Sequence, residues 1–206
     1  MIIHHKEDFK QYKIFLCKSL KYSESFTFVP IMVRKEKFNK CIFQTPLLFT
    51  PFGIQETTNH KKIIDLSFQN KKNDKSLNNF LKNLNIIYKS IKQKYKSEYN
   101  VNTFIKTTNF QECLRLKIME NTILFNEYKN KIDKINSFTY GYFIIHLEGL
   151  WINNNDIWFQ WTLLQAKMLT PIYLKEYSFI DEIQETNTKH TKNNKYDKMI
   201  KMGVPK

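Results

Sequence analysis

Four aromatic side chains, Tyr140, Tyr142, Trp151 and Trp158, stand in two long apolar stretches joined by the polar run Asn153 to Asp156. That run favours a tight turn, because Asn and Asp tolerate left-handed backbone. The two flanks, Phe138 to Trp151 and Ile157 to Met168, therefore read as a β-hairpin. Period-two alternation puts Phe143, Ile145 and Leu147 on one face and Tyr140, Tyr142, Ile144 and His146 on the other. On the second strand Ile157, Phe159, Trp161 and Leu163 alternate with Trp158, Gln160 and Thr162. The first set of each strand is the expected core. The second set joins ring faces to polar atoms, which is what stacking of unpaired bases needs; each stacked base loses about 1 to 3 kcal/mol when its ring becomes alanine. Tyr142 and Trp158 are the main stacking candidates, with Tyr140 and Trp151 beside them. Aromatic residues in strands more often fill a core, and Trp151 beside the turn also suits a cap on the end of the sheet.

A stacking surface for nucleic acid needs cations to neutralise phosphates. The chain carries 33 Lys and Arg against 19 acidic residues, a net charge of +14. Such a surplus concentrates polyanions at a protein surface. It is unevenly placed. Residues 61 to 106 hold eleven lysines against Asp65, Asp74 and Glu98, whereas the hairpin region is locally acidic. The candidate phosphate contacts are Arg34, Lys35, Lys37 and Lys40 in one patch and Lys61, Lys62, Lys71 and Lys72 in another. A solvated helix face accounts for much of the 61 to 106 patch equally well.

Signatures of catalysis are missing. Four glycines (53, 141, 149, 203) allow neither a phosphate-binding loop nor a dinucleotide fingerprint. Apart from the adjacent pair His4 and His5, the histidines at 4, 5, 60, 146 and 190 have no metal-ligand spacing, and no nucleophile motif appears. His146, alternating with tyrosines, reads as a partly buried, satisfied side chain. The expectation is a protein that is not an enzyme and takes no cofactor or metal. Three scattered cysteines, 17, 41 and 113, suit a reducing compartment with free thiols. No apolar run is long enough to span a bilayer, and the N-terminus lacks the pattern of a signal peptide. A soluble intracellular protein with no membrane partner is expected.

These residues need elements to position them. Tyr12 to Cys17 suits an opening strand. Phe26 to Val33 reads as a strand in which Pro30 requires an edge or a bulge. Arg34 to Lys40 forms a turn, Cys41 to Thr45 a second strand closed by Pro46, and Ile63 to Phe68 a third after a turn at Pro51 and Gly53. Leu77, Phe80, Leu81, Leu84, Ile87, Tyr88, Ile91 and Tyr95 recur at helical spacing, with Asn73, Asp74 and Ser76 as candidate caps. Leu114 to Ile118 and Thr122 to Phe125 are expected to pair across a turn at Glu120 and Asn121. The whole is α+β and mainly β: an OB-like small barrel with one long amphipathic helix between strands and a long C-terminal aromatic hairpin. Residues 1–183 form a single domain in this reading, and 184–206 a basic mobile tail.

The stretch YGYFIIHLEGLWINNNDIWFQWTLLQAKM is similar to the closing strands of single-stranded DNA-binding proteins of large nucleocytoplasmic DNA viruses. FVPIMV followed by FQTPLLFTPFGI resembles their early strands. The resemblance implies an OB-fold that coats exposed viral DNA during replication, recombination or repair without sequence preference. It implies single-stranded DNA as partner, with RNA left open, together with copies of the chain or replication proteins. It places the protein in the viral factory of the host cytoplasm, in the nucleus, or in the virion. In the tail, KYDKMIKMGVPK looks like a Met-Gly-Val-Pro motif of giant-virus proteins and of a subunit of the actin-regulating WASH complex, here cut short at Lys206. A reading of a different class keeps the hairpin as a protein interface in a structural virion or scaffold component, since interfaces are also enriched in aromatic residues.

Overall fold

The long hairpin is the spine of the structure, a computed structural model that describes residues 1–69, 73–107 and 111–169. Lys71, Lys72 and the 184–206 tail lie outside the described residues, all of which fall in the compact unit Met1–Pro171. The strands in chain order are β1 (Ile3–His4), β2 (Lys13–Leu16), β3 (Leu20–Lys21), β4 (Phe26–Arg34), β5 (Phe38–Gln44), β6 (Leu48–Thr50), β7 (Ile54–Glu56) and β8 (Lys62–Ser67). The helix α1 (Lys75–Tyr95) follows. After it come β9 (Asn100–Val101), β10 (Ile105–Thr107), β11 (Glu112–Phe125), β12 (Lys131–Ile132), β13 (Thr139–Asn153) and β14 (Asp156–Met168). The fold is α+β and mainly β.

Five strands close a ring of pairings. β13 pairs with β6 and β14, β14 runs parallel to β11, β11 is antiparallel to β8, and β8 returns to β6. Taken in chain order the ring reads first, second, third, fifth, fourth, a Greek-key connection of the OB type. Its thinnest seam is β6 with β8, where Phe49 opposite Ser67 is the single register pair. The helix follows the second ring strand, and β4 and β5 extend the sheet beyond the ring along the same edge of β13.

That edge is served by three segments in turn. Phe26 to Pro30 pairs with Gly149 to Asn153, Cys41 to Gln44 with Ile144 to Leu147, and Leu48 to Thr50 with Thr139 to Gly141. Pro30 stands where β4 leaves β13, so its missing N–H interrupts no continuing ladder. Between β5 and β6 the Thr45 N–H donates to the Phe143 carbonyl, and the Phe143 N–H donates to Thr45 Oγ1 at 3.0 Å, carrying the pairing past Pro46.

The helix begins where Asp74 accepts from the N–H groups of Ser76 and Leu77, satisfying two of the donors a helix start leaves free. Its buried stripe, Leu77, Phe80, Leu84, Ile87 and Ile91, joins the ring's interior beside Phe43, Phe143, Ile145 and Trp161. Two asparagines one turn apart tie down the N-terminal segment. Asn79 donates to the His5 carbonyl at 2.7 Å; the buried Asn83 accepts from the Phe9 N–H and donates to the Glu7 carbonyl. The expected turn at Glu120 and Asn121 is not a hairpin. β11 runs through it as one strand, with Met119 to Thr122 bulged out against β14 and Thr122 Oγ1 donating to the Leu163 carbonyl at 2.8 Å. A strand beside a ready partner keeps its ladder and expels the polar residues as a bulge instead of turning back.

Candidate nucleic-acid interface

Two bulges decide which hairpin side chains face out. On β13, Phe143, Ile145 and Leu147 are fully buried, while Tyr140, Tyr142, Ile144 and His146 point away from the core. Glu148 is then skipped in the register, which moves from Leu147 opposite Trp161 to Gly149 opposite Gln160. The skip reverses the alternation, burying Leu150 and turning Trp151 outward. On β14, Leu164 is skipped in the same way, so Trp158 and Gln160 share the outer face with Gln165 and Lys167. Thr162, expected on that face, is 1% exposed, flanked by His146 and Lys117 on the neighbouring strands.

At the turn end of the hairpin an apolar row crosses four strands: Leu20, Phe28, Trp151 and Trp158 stand opposite one another in register. Phe28 lies 4.8 Å and Tyr22 5.0 Å from the Trp151 ring, centroid to centroid. Gly149 makes this possible. A Cβ there would come within 2.7 Å of the Phe28 ring and 2.4 Å of the Val29 carbonyl oxygen, so only glycine lets the Phe28 ring approach the strand this closely. Trp151 is half-buried, and its indole N–H donates to Gln160, whose amide donates to Glu148. It is thus the wedge beneath the row, and its partner Trp158, 42% exposed, is the free ring.

A second cluster occupies the other end. Phe125, Lys167 and Tyr142 are in register across β11, β14 and β13, with the Lys167 ammonium 5.7 Å from the Tyr142 ring centre. Next to them Phe49 lies 5.0 Å from Tyr140 and 6.3 Å from Phe138. Phe138 is 74% exposed and holds φ at 56°, a region bulky residues rarely occupy. Its N–H donates to the Pro51 carbonyl at 3.2 Å, and Thr139 Oγ1 donates to the Asn136 carbonyl at 2.8 Å. Such a strained, exposed ring is a pointer to a functional surface.

Between the clusters the face is polar. His146 Nδ1 sits 4.0 Å from Glu148, and burial holds the imidazole below its ordinary range, with Lys40 adding to the effect and Glu148 opposing it. Lys40 lies one alternation from Ile42, the residue opposite His146, and so shares this face.

The other candidate cations divide. Both arginines of the chain are engaged internally: Arg34 stacks 4.8 Å from Phe15 and 5.2 Å from Phe38, and Arg115 grips the buried Asp65 with bonds of 2.8 and 2.7 Å. Lys35 lies 4.0 Å from Glu7, while Lys37 is exposed at the β4–β5 turn. Lys61 and Lys62 line a second groove of about 1120 Å³ together with Lys117, Lys134 and the β11 bulge residues Met119 to Thr122. The helix lysines at 75, 82, 89, 92, 94 and 96 are exposed opposite its buried stripe. The structure therefore brings Tyr140, Tyr142, Trp151, Trp158 and Lys40 onto one face, sets Arg34 at its margin, opposite Phe38 one alternation beyond Lys40 and stacked on rings, and leaves Lys35, Lys37, Lys61 and Lys62 elsewhere. Tyr22, Phe28, Phe49, Phe125, Lys129 and Phe138 complete the face without any signal from spacing, since each comes from a different element. Among the described residues no cluster of His, Cys, Asp and Glu could hold a metal ion.

No family model matches the chain, and no curated protein sequence matches it. Several solved structures have a similar chain trace. The single-stranded DNA-binding protein gp2.5 of bacteriophage T7 superposes with a TM-score of 0.42 at 11% identity, over 77% of this chain and 98% of that one. The single-stranded DNA-binding protein of bacteriophage Enc34 superposes with a TM-score of 0.47 at 12% identity, over 81% and 96%. In its complex with single-stranded DNA the figures are 0.46 and 11%, over 78% and 98%.

Proposed function

We propose that the outer face of the β13–β14 hairpin binds single-stranded DNA without sequence preference along most of its length, in replication, recombination or repair. The observation that carries this reading is the pair of aromatic clusters on one continuous face, each with an exposed ring (Trp158, and Tyr140 with Phe138). Tyr142 and Trp151 are nine residues apart, so the clusters are separated by about 30 Å along the strand. A strip of that length suits the roughly 4 to 16 nucleotides that one OB-type unit engages. Lys40, Lys129 and Lys167 supply phosphate contacts where the rings lie, and the chain's net charge of +14 draws the polyanion in from a distance.

The test is a titration of the whole chain with oligo(dT), duplex DNA and RNA across a salt series, read by tryptophan fluorescence. Binding to oligo(dT) that quenches fluorescence and weakens with salt is expected. Trp158→Ala should weaken it by about 5- to 150-fold, the equivalent of one stacked base. No binding at low salt, or equal affinity for duplex DNA, overturns the proposal and favours a protein interface on the same rings.

A further inference from the structure

We propose that the groove between Phe125 and Tyr142 is a base-reading pocket that takes one adenine of a bound strand; this rests on the single-stranded DNA reading above. The pocket is built from two parallel rows. Phe125, Lys167 and Tyr142 form one; Ile123, Gln165, Ile144 and Gln44 form the next, two residues along each strand and on the same face. All of these but Ile123 line a cavity of about 550 Å³, within the roughly 300 to 1,000 Å³ typical of small-molecule sites.

Its chemistry differs from that of the open strip. The Gln44 and Gln165 carboxamides flank Ile144 from either side and make no hydrogen bond with the described residues, so each keeps a donor and an acceptor for a ligand. Lys129 lines the opposite rim from a turn locked by Asn126, whose Oδ1 accepts from the N–H groups of Tyr128 and Asn130 at 3.0 Å each. Lys129 itself holds φ at 66° in that turn. Two lysines and no carboxylate line the cavity. A base laid on the Tyr142 ring displaces the Lys167 ammonium from the ring toward a phosphate, a stronger partner. The edge of that base then lies over Ile144 between the two carboxamides. A glutamine carboxamide pairs bidentately with N6 and N7 of adenine, and an extended purine reaches both flanks.

The experiment compares three oligomers on the full-length chain: oligo(dT), the same oligomer with one central adenine, and the same with 7-deazaadenine, which stacks as well but lacks N7. The adenine oligomer is expected to bind about five- to tenfold more tightly than oligo(dT), the lower part of the range for one bidentate contact because the groove is half open. The 7-deaza oligomer, which keeps N6 but lacks N7, should lose most of that advantage, and Gln165→Leu should bring the adenine-to-thymine ratio close to one. Trp158→Ala, at the other cluster, should lower all three affinities and keep the ratio. Equal binding of adenine and thymine oligomers, or an advantage that survives 7-deazaadenine, overturns the pocket and leaves the general DNA reading standing. Failure to bind any of the three overturns both.

Discussion

Phe138 combines exposure, an aromatic ring and a left-handed backbone. A bulky L-residue in that region carries about 1 to 2 kcal/mol of steric cost, which Asn relieves because its short side chain tolerates it. Phe138→Asn is therefore expected to raise stability by about 1 kcal/mol in urea denaturation. If the ring serves binding, the same substitution weakens oligo(dT) affinity, and a variant that is both more stable and unimpaired in binding would remove Phe138 from the site. Gly149 poses the opposite case. No side chain can be added there without pushing Phe28 off the Trp151 wedge, so the residue with least chemistry fixes the geometry of the most aromatic row.

At the level of elements, the helix fastens the N-terminal segment through two polar side chains on its buried edge. Asn83→Leu leaves the Phe9 N–H and the Glu7 carbonyl without their partner in a site that is 2% exposed. A cost of about 2 to 4 kcal/mol is expected, as two buried polar groups are orphaned; the denaturation midpoint of the purified variant measures it. This clamp was invisible in the sequence, because Asn79 and Asn83 among the helix's polar positions look like any solvated residues. The helix itself was legible from its eight apolar positions, and the hairpin from its turn residues and alternation. On β14 the expected faces hold from Ile157 to Leu163, but on β13 they were legible only as far as Leu147. Beyond it the skipped Glu148 reverses the pattern, and local propensity carries no mark of a bulge whose cause is the register of the neighbouring strand. The same reason hid the through-running β11, whose Glu120 and Asn121 resemble a turn until β14 is there to hold the ladder. Which face each candidate cation shares was not legible: lysine is favoured on every solvated surface, so its position in sequence says little about which face it shares.

Over the whole molecule, charge and burial set the response to pH. His5 and His146 are both held below the ordinary value of 6.5 chiefly by burial. The unfolded chain therefore binds protons that the folded one refuses, and stability rises with pH through that window. Acidification from pH 7 to pH 5 is expected to lower the urea midpoint, and a His5→Gln, His146→Gln double variant should flatten the profile. Glu7, held low by the Tyr12 hydroxyl at 2.6 Å, acts only below about 4.5, so it leaves this interval to the histidines.

The single register pair between β6 and β8 has a dynamic consequence. A closed ring opens first where fewest bonds resist, so the backbone amides near Phe49 and Ser67 should exchange with deuterium sooner than those of the β13–β14 ladder. Phe49 also carries the Tyr140 cluster, which places the ring's clasp directly beneath a proposed contact with the bases. Occupancy of that cluster should then slow exchange across the seam, and deuterium uptake followed by mass spectrometry with and without oligo(dT) would register it as a latch closing.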